Sequence, residues 1–85
     1  MQPDQILARS SALVMGDRGE QHGAYQENMD TIAALWTAYS GHRFKANDVA
    51  WMMLLVKAAR AKANPKNLDN AIDAAGYAAI AGAVE

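Results

Sequence analysis

The chain has 85 residues, 52% hydrophobic and 20% charged, with a formal net charge of −1 at pH 7 and no cysteine. This length suits one domain, 1–85, around one small core. A near-neutral charge argues against a nucleic-acid binder, which needs a basic face, and a chain without cysteine forms neither disulfides nor cysteine-ligated zinc sites. No apolar run approaches the roughly 20 residues of a membrane helix, and no secretory signal begins the chain. We therefore expect a cytoplasmic protein.

Four helices are predicted, over residues 4–15, 24–40, 48–63 and 68–84. Glycines end the first two helices, at Gly16 and Gly41, and a turn at 64–67 separates the last two. Asn47 and Asn67 precede helices and are predicted N-caps. Apolar residues at helical spacing predict buried stripes on the first helix (Ile6, Leu7, Ser10, Leu13, Val14) and on the second (Tyr25, Met29, Ile32, Trp36, Tyr39). The fold class is all-α: a small bundle of about four helices, with a C-terminal antiparallel helical hairpin.

The third helix is apolar on nearly every side, with Trp51, Leu54 and Leu55 opposite Val49 and Met53. A helix of this kind is normally buried all round, and an 85-residue bundle can scarcely surround one of its own helices. We therefore expect a second subunit to complete the bundle, as a homodimer or a higher oligomer. The fourth helix is mostly alanine and glycine, and the glycine inside it, at 76, points to close packing or to clearance for a ligand.

Four charged residues interrupt the two C-terminal helices. Lys57 and Arg60 share a face of the third helix, and Asp69 and Asp73 share a face of the fourth. Residues equidistant from the turn face each other in an antiparallel hairpin, which predicts the pairs Arg60–Asp69 and Lys57–Asp73. These pairs either fix the register of the hairpin or flank a cleft.

In the second interpretation, the charges bind a ligand, because charges on apolar helices are costly unless they are used. Lys57 and Arg60 would then hold a phosphate, while Asp69 and Asp73 would bind a sugar hydroxyl, a base or a divalent ion. Tyr77, one turn after Asp73, would stack on a base or cap the core.

The glycine-rich segment 16–23 carries Arg18 and His22 and leads into the second helix, where Asn28 follows. Backbone amides at a glycine-rich helix N-terminus can bind an anion, although the segment matches neither the phosphate-loop nor the dinucleotide pattern. A histidine in a polar loop is more often solvated than catalytic.

Glu27 and Asp30 share a face of the second helix, and with Asp69 and Asp73 they could form a four-carboxylate magnesium site. The preferred interpretation is that Glu27 and Asp30 are solvated acids that interact favourably with the helix dipole.

The order of motifs resembles an uncharacterised family of short helical proteins encoded by tailed bacteriophages and prophages. The motifs are Gly16-Asp17-Arg18, His22-Gly23, Asn28, Ile32 to Trp36, Tyr39, Asp48-Val49-Ala50, Met52-Met53, Lys57 to Arg60, Asp69 and Asp73 to Tyr77. This resemblance implies a phage origin and expression in the cytoplasm of a bacterial host, and it implies no established activity.

The chain also loosely resembles the all-α, MazG-like nucleotide pyrophosphohydrolases, which hold magnesium with a Glu-x-x-Glu pair and a later Glu-x-x-Asp pair. The nearest equivalents here are Glu27-x-x-Asp30 and Asp69-x-x-x-Asp73, the second with different spacing.

Three hypotheses follow. The first is a phage accessory protein that binds a phosphorylated, nucleotide-like ligand at a charged interhelical or intersubunit site, without a cofactor. Its predicted ligand-binding residues are Arg18, His22, Asn28, Lys57, Arg60, Asp69, Asp73 and Tyr77. The second is a magnesium-dependent nucleotide pyrophosphohydrolase. The third is a non-enzymatic inhibitor that binds a host defence or replication protein.

Overall fold

A computed structural model describes residues 1–16 and 24–85 of the chain. Its helices are α1 (Pro3–Met15), α2 (Ala24–Ser40), α3 (Ala46–Ala63) and α4 (Leu68–Ala83). The residues in these two ranges form no strand. The predicted all-α fold of four helices is therefore confirmed, and the predicted helix ends lie within two residues of the observed ones.

Most helix ends follow the predicted local chemistry. Gly16 and Gly41 have positive φ values of 78° and 76°, a conformation that glycine adopts at little cost. Asn67 is the N-cap of α4, and its side-chain oxygen accepts a hydrogen bond of 3.0 Å from the backbone amide of Asp69.

The predicted N-cap at Asn47 is wrong. Helix α3 already begins at Ala46, and its first turn is closed by Asp48, whose carboxylate accepts a 2.9 Å hydrogen bond from the backbone amide of Lys45. Asn47 instead donates its side-chain amide to the backbone oxygen of Ala81, at 2.7 Å. Because an acidic side chain in the first turn can reach back to the cap amide, Asp48 leaves Asn47 available for this contact between helices.

Helices α3 and α4 form the predicted antiparallel hairpin. The bond from Asn47 to Ala81 joins the first turn of α3 to the last turn of α4. Nearer the connecting turn, Lys57 Nζ lies 3.1 Å from Asp73 Oδ2. Both pairs are nearly equidistant from the turn at 64–67, so the predicted register of the hairpin is confirmed.

The core is small and lies where α2 packs on the first half of α3 and α4 packs beside it. Its buried apolar residues are Met29, Ala33, Ala46, Val49, Ala50, Ile80 and Ala81. Gln26 ties α2 to the end of the chain: its side-chain oxygen accepts from the amide of Glu85 at 2.9 Å. Helix α1 packs on α4, with Ser10 and Val14 close to the glycine at position 76.

Two of the predicted apolar stripes are only partly buried. Tyr39, assigned to the core stripe of α2, is 95% exposed, and Leu7 and Leu13 of α1 are also exposed. Each of these residues lies on a helix that packs along only one neighbour, so the outer part of its apolar stripe has nothing to cover it. Of the predicted stripe of α1, only the small Ser10 is fully buried.

The molecule is flattened, measuring 41 × 33 × 15 Å, with an accessible surface of 6000 Å². A compact monomeric protein of 9.1 kDa exposes about 4900 Å². The chain therefore exposes about a fifth more surface than a compact monomer would. No helix in the described part of the chain is long and apolar enough to cross a membrane.

Candidate functional site

An open cleft of about 460 Å³ lies where α1, α2 and α4 converge. The chain lines it with three groups of residues: Ser10, Leu13 and Val14 from α1, Ala24, Tyr25, Asn28 and Met29 from α2, and Asp73, Gly76, Tyr77 and Ile80 from α4. We call this space the α1/α2/α4 cleft. Its volume lies within the roughly 300–1,000 Å³ of small-molecule sites, and its wall combines two phenol rings with a carboxylate, an amide and a hydroxyl.

Gly76 allows α1 to approach α4 at the floor of this cleft. A Cβ atom placed on it would lie 3.1 Å from Val14 Cγ2 and 3.2 Å from Ser10 Oγ. Both distances are shorter than the ordinary contact of about 3.5–4.0 Å between carbon atoms. Of the two reasons that the sequence suggests for this glycine, close packing of helices is therefore the one that the structure supplies.

Asp73 is the charged group of the cleft wall, and its charge is partly neutralised from the α3 side. Its Oδ2 lies 3.1 Å from Lys57 Nζ, with the two side chains 32% and 16% exposed. Within the two described ranges, no protein hydrogen bond uses the carboxylate of Asp73. A carboxylate has about four acceptor positions, so Asp73 retains bonding capacity beside the cleft.

A second, smaller cleft lies between α1 and α4. Arg9, Ala12 and Leu13 line it from α1, and Asp69, Ile72 and Asp73 line it from α4. Asp73 belongs to both clefts, whereas Asp69 belongs only to this one.

Of the two predicted pairs across the hairpin, only one is formed. Lys57 pairs with Asp73, but Arg60 and Asp69 are both exposed, and the described residues contain no ion pair between them. The distance of a residue from the turn determines only its level along the helix. Two residues at the same level make contact only if their side chains also lie on the facing sides of the two helices. Asp69 instead lines the second cleft, together with Arg9 of α1.

The structure brings three of the eight predicted site residues together. Asn28, Asp73 and Tyr77 line the α1/α2/α4 cleft. Lys57 contacts Asp73 but does not line the cleft. Asp69 lines the second cleft, and Arg60 lines neither. The remaining two, Arg18 and His22, lie outside the described residues.

Sequence reasoning missed three residues of the two clefts. It assigned Tyr25 and Ser10 to apolar stripes and gave Arg9 no role, yet the first two line the larger cleft and Arg9 lines the smaller one. Gly76 was the usable signal for the α1 residues, because a glycine inside a helix marks close approach of another helix. Which helix approaches cannot be read from α4 alone.

The four-carboxylate arrangement is not formed. Asp30 accepts hydrogen bonds of 3.1 and 3.2 Å from the side-chain amide of Gln26, and neither Glu27 nor Asp30 lines a cleft with Asp69 or Asp73. Residues 1–16 and 24–85 contain no cluster of three or more His, Cys, Asp or Glu side chains that could hold a metal ion. The acidic pairs therefore supply no basis for the likeness to pyrophosphohydrolases.

Comparison with known proteins places the chain in a family. Residues 5–85 match the model described as a domain of unknown function, DUF6378. The chain belongs to the DUF6378 family. The match covers α2, α3, α4 and all but the first two residues of α1, so the cleft and the hairpin both lie within the DUF6378 domain.

Two curated relatives of this DUF6378 domain are bacteriophage proteins, as the sequence resemblance implied. The Gene 55 protein of Mycobacterium phage L5 is 41% identical over 76 residues, and the Gene 55 protein of Mycobacterium phage D29 is 37% identical over 75. Each alignment covers 88% of this chain, and they cover 49% and 50% of the two relatives. The chain thus spans about half the length of the curated relatives it matches. No solved structure matches it.

Proposed function

We propose that this domain is a phage accessory module that binds a nucleotide-like ligand in the α1/α2/α4 cleft. One observation carries the proposal: two tyrosines, Tyr25 and Tyr77, line the same open cleft as Asn28 and Asp73. Aromatic rings bind the faces of nucleobases, while amide and carboxylate groups bind their polar edges and the sugar hydroxyls. An apolar and aromatic wall with a few polar groups is typical of small-molecule sites.

Each polar group has a chemically defined role in this proposal. Asn28 carries both a donor and an acceptor, which suits the edge of a base. Asp73 accepts from a sugar hydroxyl or an exocyclic amine, and the Lys57 ammonium at 3.1 Å offsets its charge. Because of this contact, we assign Lys57 the role of positioning Asp73, in place of the phosphate-binding role predicted from the sequence.

The phosphate is assigned to the segment that joins α1 to α2. Val14 and Ala24 line the cleft close to the two ends of segment 17–23, and this segment contains Arg18 and His22. The described residues that line the cleft include no lysine or arginine. We therefore assign the base and the sugar to the described wall, and Arg18 and His22, which lie outside the described residues, stay the predicted phosphate ligands.

Calorimetric titration of the purified chain with nucleosides and their monophosphates tests the proposal. Tyr77→Leu removes the ring but keeps an apolar side chain, and the matched control is Tyr39→Leu, because Tyr39 is 95% exposed and outside the cleft. Base stacking contributes ~1–3 kcal/mol, so Tyr77→Leu should weaken binding about tenfold or more, whereas Tyr39→Leu should leave it unchanged. Equal effects of the two changes, or no heat with any compound, would refute the proposal.

Arg18→Ala separates the phosphate assignment from the base assignment. It should weaken binding of a monophosphate and leave binding of the parent nucleoside unchanged. A loss of equal size for both compounds would place Arg18 at the base rather than at the phosphate.

The other two hypotheses each require a structural feature, and the described residues provide only one of the two features. The pyrophosphohydrolase hypothesis requires converging carboxylates, which the described residues do not provide. The hypothesis of a host-protein inhibitor requires an uncovered apolar surface, and the single chain has one on α3, where Trp51 and Leu55 are 48% and 64% exposed. The residue pattern of that surface favours a second copy of the chain as its occupant.

A further inference from the structure

Helix α3 buries one side and exposes the other. Ala46, Val49 and Ala50 are buried against α2 and α4. On the opposite side, Trp51, Met52 and Leu55 are 48%, 38% and 64% exposed, and Ala59 is exposed too. Asp48 and Lys62 lie at the two ends of this apolar strip. We call the six residues Asp48, Trp51, Met52, Leu55, Ala59 and Lys62 the α3 outer face.

The spacing of the α3 outer face is that of a helix pairing with another helix. Asp48, Leu55 and Lys62 repeat every seven residues, and Trp51 and Met52 fall between the first two of them. Seven-residue repeats with apolar residues at alternate steps of three and four are the pattern of coiled-coil contacts. The described helices leave this strip exposed, so a helix that pairs with it would belong to another chain.

We infer that the α3 outer face is the interface of a homodimer in which two α3 helices pair antiparallel about a two-fold axis through Leu55. Positions equally far before and after the axis then lie opposite each other. Trp51, four residues before Leu55, faces Ala59 of the partner subunit, four residues after it. Asp48, seven before, faces Lys62 of the partner subunit, seven after. This inference goes beyond the proposed ligand site and does not depend on it.

Three features of this arrangement single out a second copy as the occupant. The largest side chain of the strip, Trp51, is placed against one of the smallest, Ala59, so the two surfaces interdigitate. The charges are complementary at both ends, with Asp48 against Lys62 of the partner subunit on each side of the axis. A two-fold interface must be self-complementary, and an unrelated partner would not require this internal symmetry.

The excess of exposed surface on the single chain is comparable to the area that a stable dimer buries. The chain exposes 6000 Å², about 1,100 Å² more than a compact monomer of its mass. Stable interfaces bury about 800 Å² on each partner. Burying that area on each copy would lower its exposed surface from 6000 Å² to about 5,200 Å², closer to what a compact protein of this mass exposes.

A single engineered thiol tests the axis. The chain has no cysteine, so Leu55→Cys introduces one thiol per copy, at a position that faces itself across the axis. The matched control is Leu35→Cys, because Leu35 is 62% exposed, as Leu55 is at 64%, but lies on α2. With oxidised glutathione at low micromolar protein, Leu55→Cys should convert almost wholly to a disulfide-linked dimer, and Leu35→Cys should not. Equal cross-linking of the two variants would overturn the inference.

Light-scattering mass measurements test the interface without a cross-link. The wild-type chain should have twice its 9.1 kDa. Leu55→Glu places two like charges at the axis and should give a folded monomer by circular dichroism, whereas Leu35→Glu should remain a dimer. A wild-type mass of one chain at ~100 μM, or a dimer unaffected by Leu55→Glu, would refute the inference.

Charge changes at Lys62 test the register. Lys62→Glu opposes two carboxylates at each end of the interface and should weaken dimerisation about tenfold, since exposed ion pairs are individually weak. Adding Asp48→Asn removes that repulsion and keeps a side-chain oxygen for the amide of Lys45, so dimerisation should recover. Absence of recovery, with helix content unchanged, would contradict the pairing of Asp48 with Lys62 of the partner subunit.

Discussion

Glycine 76 tests the packing of α1 on α4, because a single methyl group there has two opposing effects. Gly76→Ala gains ~1 kcal/mol of helix propensity. Its Cβ would lie 3.1 Å from Val14 Cγ2 and 3.2 Å from Ser10 Oγ, several tenths of an ångström too close to both. Overpacking of this kind typically costs ~1–3 kcal/mol. We therefore expect a net loss of about 1 kcal/mol, which is a fall of roughly 4–8 °C in melting temperature for a domain of this size.

Gly82→Ala is the matched control, because it makes the same change in the same helix. A Cβ at Gly82 would meet nothing within 4 Å, so the only effect of Gly82→Ala is the higher helix propensity of alanine. The variant should therefore be more stable than the wild type by about 0.5–1 kcal/mol. The difference between the two variants in urea unfolding measures the steric cost at position 76. The reasoning fails if Gly76→Ala stabilises the chain as much as Gly82→Ala does.

Two further predictions concern contacts between α3 and α4. Lys57→Met should lower the free energy of unfolding by about 1–2 kcal/mol, because it leaves the partly buried Asp73 carboxylate without its counter-ion. Adding Asp73→Asn should restore most of that loss. Additive effects of the two changes on the free energy of unfolding would show that the pair is not coupled. Asn47→Asp should destabilise the chain by about 1 kcal/mol, because a carboxylate cannot donate to the backbone oxygen of Ala81. Retained stability in thermal unfolding would contradict a stabilising role for the hydrogen bond from Asn47 to Ala81.

The fold was predictable because its signals are local. Helix type, helix ends and the hairpin register depend on residues close together in sequence, such as the glycines at 16 and 41, the cap at Asn67 and the short turn at 64–67. The level at which Lys57 meets Asp73 follows from the helix rise alone.

The site was less predictable because it depends on how distant helices are oriented. Arg60 and Asp69 lie at matching levels of the hairpin, but in the described part of the chain both side chains are exposed and form no ion pair with each other, whereas Asp69 lines the cleft beside α1. Tyr39 has the correct helical spacing but no helix above it, so it is 95% exposed. Both errors have the same origin: periodicity defines a stripe on a helix, and only tertiary packing decides how much of that stripe is covered.

Gly76 also has a consequence for the shape of the cleft. Gly76, Ser10 and Val14 line the cleft and are also the point at which α1 and α4 approach each other, so these small residues help to set the separation between the two helices. A larger residue at this point would push α1 outward and widen the mouth of the cleft, even with every polar group of the wall unchanged. If the cleft binds a ligand as proposed, the size of that ligand would depend partly on a residue that has no side chain.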